Sequence, residues 1–129
     1  MIMRVITLKQ PWASLVAEGL KEYEFRNMKY SYRGKILIHA GKGIDKEAME
    51  RVKKLNLNYP KSQIVAEVEI VDCIKIDKEF NKFINDLKSP VYGSKNRTGY
   101  AWKLANVKKI NNNTTISGKQ GIWYINEKD

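Results

Sequence analysis

One short segment of the chain, KEYEFR, concentrates ionisable side chains around an alternating apolar pattern. As a strand, it would place Tyr23 and Phe25 on one face. Glu22, Glu24 and Arg26 would then share the opposite face. Carboxylates and cations this close together can exchange protons, orient a water or bind an anionic ligand. The alternative is a solvated strand face with weak surface ion pairs.

A short helix precedes this segment and delivers its first cation. Pro11 suits the first helical position, Trp12 opens an apolar face at helical spacing, and Gly19 suits a left-handed cap. Lys21 follows directly. Strand alternation would point Lys21 and Glu24 to opposite faces, so a twist or bulge after Gly19 is needed to bring them together.

Length and composition predict one folded domain over residues 1–129. The chain has 129 residues, of which 43% are hydrophobic, enough for a real core. It shows no apolar run long enough to cross a membrane and no signal peptide. The lone Cys73 lies in an apolar-rich run, which predicts a buried thiol in a reducing compartment and gives no disulfide framework. We expect a cytoplasmic protein without a cofactor.

The formal net charge of +10 predicts polyanionic partners. Nucleic acid comes first and acidic membrane surfaces second, and RNA and DNA are both permitted. A general adaptation for solubility is the competing interpretation. Protein partners stay unspecified.

The remaining pattern predicts an α+β fold. Strands are expected at 3–8, around Tyr23, and at 35–40, 64–76, 100–110 and 121–125. Asp45 is expected to cap a second helix, with Ala48, Val52 and Leu55 facing inward; Asp77 is expected to cap a third, with Phe80, Phe83, Ile84 and Leu87 on one face. About six strands and three helices favour a small mixed, largely antiparallel β-barrel with flanking helices.

Several stretches together resemble the ASCH domain, a branch of the PUA-like superfamily. Gly19, Lys21, Glu24 and Arg26 match its G-x-K-x-x-E-x-R pattern, and further matches lie at 32–42, 65–72, 100–110 and 118–123. The resemblance implies a PUA-like β-barrel with a cleft between the barrel and the helix that starts at Pro11. It also implies recognition of RNA or of a modified nucleoside.

Some relatives in this broad family are amidohydrolases that deacetylate N4-acetylcytidine. Carried over to this chain, their lysine is Lys21 and their later glutamate is Glu69. Glu24 stands where these relatives have a threonine, so a carboxylate replaces the nucleophilic hydroxyl. Glu24 could instead deprotonate a water, or it could pair with a neighbouring cation and bind ligand only.

The lead hypothesis is therefore an RNA- or nucleotide-binding module, and the alternative is an amidohydrolase using Lys21, Glu24 and Glu69. The expected ligand-binding residues are Lys9, Trp12, Lys21, Glu24, Arg26, His39, Lys42, Arg97 and Lys119. Trp12 is the tryptophan best placed to stack on a base, whereas Trp102 and Trp123 are expected to pack in the core. His39 is either a cleft wall or a satisfied structural histidine. A single histidine without companions predicts no metal site.

Overall fold

The computed structural model describes residues 1–111 and 113–126. Within these residues the chain forms six strands, three α-helices and one 3₁₀ turn. In chain order they are β1 (Ile2–Gln10), α1 (Trp12–Ala17), β2 (Tyr23–Arg26), β3 (Gly34–Ile44), α2 (Lys46–Arg51), the 3₁₀ turn (Lys53–Leu55), β4 (Gln63–Lys75), α3 (Lys78–Asp86), β5 (Tyr100–Lys109) and β6 (Ile122–Asn126). The predicted α+β class, with six strands and three helices, is confirmed.

All six strands belong to one mixed sheet in the order β2-β5-β4-β3-β1-β6. β1 and β3 are parallel, and the other neighbouring pairs are antiparallel. Among the described residues, β2 and β6 each pair with a single strand, so the hydrogen-bonded ladder ends at them rather than closing. The sheet is therefore open among the described residues, so the predicted closure into a β-barrel is wrong, because β2 and β6 do not pair with each other. The architecture is still consistent with a PUA-like fold.

The main core lies on the face of the sheet that α1 covers. Val68 and Ile70 of β4 are buried there, with Trp102 of β5, while Glu69 alternates to the opposite face. Strand alternation explains this division, because successive side chains point to opposite sides. On that opposite face Glu67 lies 3.9 Å from the Lys35 ammonium.

A buried glutamine fixes α1 against the end of β1. The Gln10 side chain accepts a hydrogen bond from the Ser14 N–H at 3.0 Å and donates to Ser14 Oγ at 2.9 Å and to the Pro60 carbonyl at 2.8 Å. Pro11 occupies the N-cap position, so the helix begins one residue later than predicted, at Trp12. This bonding sets the position of Trp12, which is the first helical residue.

The second helix is shorter than its sequence pattern predicts. Asp45 caps it as expected, since its carboxylate accepts the Ala48 N–H at 3.0 Å, and Ala48 and Val52 are buried. The prediction that Leu55 faces inward is wrong, because this side chain is 39% exposed. The α-helix ends at Arg51, and Leu55 belongs to the 3₁₀ turn that follows. Asn56 then takes a left-handed conformation, with φ of 51°, and ends this turn.

The third helix is capped by Asp77, which accepts the Phe80 N–H at 2.8 Å. Of the predicted apolar face, Ile84 is fully buried, whereas Phe83 and Leu87 are each 48% exposed. The helix packs at one end of the sheet, where the Phe80 ring meets Tyr23 edge to face with centroids 5.3 Å apart. Such a contact covers only part of the helix.

Cys73 is half-buried rather than buried: it packs at the edge of the main core, and the preceding residues Val71 and Asp72 are exposed. None of the helices formed by residues 1–111 and 113–126 has the length and apolar character required to cross a bilayer.

Candidate functional site

The chain turns sharply between α1 and β2, and this turn positions Lys21. Gly19 has a φ of +75°, a conformation that glycine adopts readily. The N–H groups of Leu20 and Lys21 both donate to the Leu15 carbonyl, at 2.9 and 3.1 Å. Because β2 begins only at Tyr23, strand alternation does not govern Lys21. Its side chain therefore reaches the same side as Glu24.

The Lys21 side chain is 3% exposed, and its ammonium group is enclosed. It donates to the Tyr23 carbonyl and lies 3.5 Å from Glu24 Oε1. Three aromatic rings surround the same nitrogen, with centroids 4.8 Å away for Phe25 and 5.4 Å for Trp12 and Tyr92. Aromatic faces attract a cation, and partial desolvation strengthens this attraction. Lys21 is thus a caged cation.

Burial lowers the pKa of the Lys21 ammonium below its ordinary value of 10.5. The neighbouring Arg97 lowers it further, whereas Glu24 acts in the opposite direction. Desolvation penalises the charged form of a lysine, and a nearby carboxylate compensates part of that penalty. Glu24 therefore provides the electrostatic support for a charged Lys21.

Glu24 is held between two cations. Its Oε1 faces Lys21, and its Oε2 accepts a hydrogen bond from Arg26 Nη1 at 3.2 Å. Glu24 is 12% exposed and Arg26 30% exposed, so this pair is only partly screened by water. Glu24 and Arg26 share one strand face, as the alternation of the sequence predicted.

These side chains line a cavity of about 320 Å³, which we call the Lys21 cavity. Its lining residues are Trp12, Lys21, Glu24, Phe25, Arg26, Asn27, Asp45, Lys95, Arg97 and Thr98. Four cations face two carboxylates, beside two aromatic rings. Such a site suits a ligand that has both an anionic group and a planar ring.

Arg97 reaches this cavity because α3 holds the loop that carries it. Asn81 Oδ1 accepts the Arg97 N–H at 2.9 Å, and Asn81 Nδ2 donates to the Arg97 carbonyl at 3.0 Å. The guanidinium donates to the Tyr92 carbonyl and lies over the Phe25 ring, 4.6 Å from its centroid. Burial lowers the pKa of Arg97, and Arg51 adds to this effect.

Tyr92 is a site residue that the sequence did not reveal. Its hydroxyl oxygen accepts the backbone N–H groups of Glu22 and Tyr23, at 2.8 and 3.2 Å, and so anchors the start of β2. Burial raises the pKa of this phenol. Tyr92 lies in a stretch with the composition of a polar loop, and no local signal marks its long-range contact.

The structure thus brings together Trp12, Lys21, Glu24, Arg26 and Arg97, five of the predicted site residues. It does not bring Glu69 to them. Glu24 is paired across the ladder with Trp102, whose ring belongs to the core face, whereas Glu69 lies on the other face of the sheet. Lys9 is exposed, and its side chain packs along Gly43 outside the cavity.

Three further predicted residues, His39, Lys42 and Lys119, lie elsewhere. They line a second cavity of about 380 Å³, which shares no lining residue with the first and which we call the His39 cavity. Its other lining residues are Thr7, Gly41, Ser62, Ser117, Gly118 and Gln120. The predicted ligand-binding set is therefore divided between two places.

The ring nitrogens of His39 are both satisfied, as expected for a structural histidine, and the ring also lines the His39 cavity. His39 is 1% exposed, with Nε2 lying 2.6 Å from the Ile116 carbonyl and Nδ1 lying 3.1 Å from Thr7 Oγ1. Because a carbonyl can only accept, Nε2 carries the hydrogen, and Thr7 donates to Nδ1. Both tryptophans expected in the core are there: Trp102 is 1% and Trp123 6% exposed.

A third, larger cavity of about 580 Å³ contains none of the predicted residues. It lies beside α1, with side-chain amides such as Asn58 and Gln63 on its wall and the Glu18–Lys109 ion pair at its edge. Size alone does not make a site, and its amides are mostly exposed. Within the described ranges, no group of three or more His, Cys, Asp or Glu side chains could hold a metal ion.

A six-stranded mixed sheet, with a charged and aromatic cavity beside its first helix, defines a small PUA-like α+β module. A family profile described as the ASCH domain matches residues 6–114, and the chain belongs to this family.

Two curated relatives have the same name. Activating signal cointegrator 1 of Mus musculus is 22% identical over 135 residues, and the Homo sapiens protein is 24% identical over 137. Each alignment covers 95% of this chain and 22% of the relative. The chain therefore spans about a fifth of the length of the relatives that it matches.

Proposed function

We propose that this ASCH domain binds RNA, or a nucleotide derived from it, in the Lys21 cavity. The observation that carries this proposal is the Glu24 carboxylate held between Lys21 and Arg26 in a cavity with an aromatic wall. A nucleotide combines a planar base with an anionic phosphate. The cavity offers a complement to each of these parts.

Each cavity residue then has a distinct role. Trp12 stacks on the base, a contact that typically contributes about 1–3 kcal/mol per base. Glu24 accepts an N–H group of the base, and Arg26 and Lys95 contact phosphate oxygens. Lys21 does not contact the ligand directly, because its ammonium already faces a carbonyl, a carboxylate and three rings. It positions Glu24 instead.

Two general properties support an RNA ligand. The net charge of +10 favours polyanions, and membership of the ASCH domain family implies recognition of RNA or a modified nucleoside. DNA is the competing polyanion, and a 2′-hydroxyl contact would distinguish the two.

The amidohydrolase alternative requires Glu69 near Lys21 and Glu24. No observation favours that arrangement, because Glu69 lies on the other face of the sheet and does not line the Lys21 cavity. Binding without turnover is therefore the function that we propose.

The test is a salt-dependent titration of a single-stranded RNA of about twelve nucleotides, within the ~4–16 nucleotide range of small binding domains. A plot of log K against log salt has a negative slope, and for a single strand each lost phosphate contact makes this slope about 0.7 less steep. The R26A/K95A double variant is therefore expected to make the slope about 1.4 less steep. The matched control, K53A/K82A, removes the same charge from two exposed lysines of surface ion pairs.

The proposal predicts a reduced slope in the cavity variant and an unchanged slope in the control. Equal losses in both variants would show a general charge effect and contradict the proposal. So would wild-type protein that does not bind the RNA. Repeating the titration with the DNA of the same sequence identifies the preferred sugar.

A further inference from the structure

The His39 cavity is a separate feature that the proposed function does not use. It lies at the β1–β3 pair, and part of its wall is the loop at 117–120. That loop lies outside residues 6–114, the part of the chain that the family profile matches. The wall of this cavity therefore combines strand residues within the profile match with a loop that follows it.

The lining of this cavity has an unusual composition. Of its nine residues, none is acidic and none has an apolar side chain. Two are the lysines Lys42 and Lys119, and two are the serines Ser62 and Ser117. The charge on this wall is thus positive and is not compensated within it.

Several hydrogen-bond donors on the wall have no acceptor within the described part of the chain. The side chains of Lys42, Ser117 and Lys119 have no hydrogen-bond or ion-pair partner there. The backbone N–H groups of 117–120 likewise have no acceptor among the described residues. Lysines, hydroxyls and free backbone amides are the groups with which proteins bind phosphate.

Hydrogen bonds to the residue before this loop fix its position. Ile116 is held on both sides, since its N–H donates to the Ser62 carbonyl at 2.8 Å and its carbonyl accepts from His39. Ser62 in turn donates its own N–H to the Ala40 carbonyl at 2.6 Å. The loop is thus tied to β3 at the cavity wall.

Gly118 completes this arrangement. A Cβ at this position would lie 2.8 Å from Thr7 Oγ1 and 2.9 Å from His39 Cε1. The absence of a side chain lets the backbone lie directly on the Thr7–His39 pair, which brings the amides of the loop to the cavity. His39 is therefore a positioning residue for this wall, not a ligand contact.

We propose that the His39 cavity is a second, anion-binding site, and that its ligand is a phosphate group. In an RNA-binding domain this phosphate is one of the RNA backbone, outside the Lys21 cavity, which makes this part of the inference dependent on the proposed function. Lys42 and Lys119 supply the charge, and Ser62, Ser117 and the loop amides supply the hydrogen bonds.

The first test is the same RNA titration with a K42A/K119A double variant. Two lost phosphate contacts are expected to make the slope of log K against log salt about 1.4 less steep, as in the Lys21 cavity, while K53A/K82A keeps the wild-type slope. An unchanged slope in K42A/K119A, together with a reduced slope in R26A/K95A, would overturn the second site and leave the proposed function intact.

The second test does not depend on RNA. In a ¹⁵N–¹H titration with inorganic phosphate, amide signals of 117–120 should shift in wild-type protein and not in K42A/K119A, with sodium chloride at matched ionic strength as the control. Shifts with phosphate and no RNA binding would support the anion site and contradict the RNA proposal. No phosphate-specific shift at these amides would overturn the anion site.

Discussion

The indole Nε1 of Trp123 donates to Thr7 Oγ1 at 3.0 Å, which joins the last strand of the sheet to the first. The same hydroxyl donates to His39 Nδ1. One side chain on β1 therefore satisfies an indole and an imidazole that are both buried. A buried polar group that loses its only partner costs about 1–3 kcal/mol.

Replacing Thr7 by Val keeps the volume and removes the hydroxyl. We expect T7V to lower the free energy of unfolding by about 2 kcal/mol or more, because Trp123 Nε1 and His39 Nδ1 both lose their partner. Urea denaturation monitored by circular dichroism measures this change. T115V, at an exposed threonine, should stay within about 0.5 kcal/mol of wild type. Equal losses in both variants would contradict the bonding described here.

Replacing Lys21 by Met tests the caged cation through the pH dependence of stability. The folded-state pKa of Lys21 is lowered, so between that value and 10.5 the unfolded chain binds more protons than the folded one. The stability of wild type relative to K21M should therefore rise with pH through this window. Denaturant unfolding at a series of pH values provides the measurement.

Lys82 provides the matched control for this experiment. Its pKa is raised by Asp86 at the surface, so its contribution to stability is present at lower pH and is lost as the pH rises past its folded-state pKa. The stability of wild type relative to K82M should therefore not rise with pH below pH 10.5. A difference between wild type and K21M that is flat or falls with pH would show that Lys21 is not held in a desolvated site.

Local sequence patterns were sufficient to predict the order of strands and helices, the N-caps of α2 and α3, and the charged face of β2. Glu24 and Arg26 share a face because both lie within a four-residue strand, where alternation holds. Asp45 and Asp77 cap their helices through bonds to N–H groups three residues later, which is a local relationship.

The parts that depend on distant contacts could not be predicted in this way. Tyr92 joins the site through the backbone of β2, and Arg97 through an asparagine on α3. His39 and Lys42 follow one another closely on β3 near the matched motifs, yet the sheet places them at a separate cavity. No spacing rule encodes which side of a fold a loop will face.

Replacing Trp12 tests the stacking role in the Lys21 cavity. We expect W12A to weaken RNA binding by about 1–3 kcal/mol, and W12F to retain most of the affinity, because a phenyl ring still offers a stacking face. Fluorescence anisotropy of labelled RNA measures both. Y124A, at an exposed tyrosine on β6 outside the cavity, should bind as wild type does. A W12A affinity equal to that of Y124A would place the base elsewhere.

Replacing Asn81 tests how Arg97 is positioned. Asn81 holds the backbone of Arg97 from both sides but does not line the Lys21 cavity. In the proposed function Arg97, which also lines the cavity, is a third phosphate contact. We therefore expect N81A to reduce the steepness of the salt dependence of RNA binding by about 0.7, the value for one lost phosphate contact, although every cation is still present. N58A serves as the control at an exposed amide. A normal slope in N81A would show that the loop keeps its geometry without this bond.

The pairing of β6 with β1 has a consequence for how the chain acquires its structure during synthesis. Trp123 and Thr7 are 116 positions apart, and β1 is bordered by β6 on one side and β3 on the other. While a ribosome is still adding residues 100–121, β1 has an unpaired edge and Trp123 does not yet exist. Contacts of such long sequence separation form slowly. The edge of β1 that β6 covers can therefore close only after this last strand has left the exit tunnel.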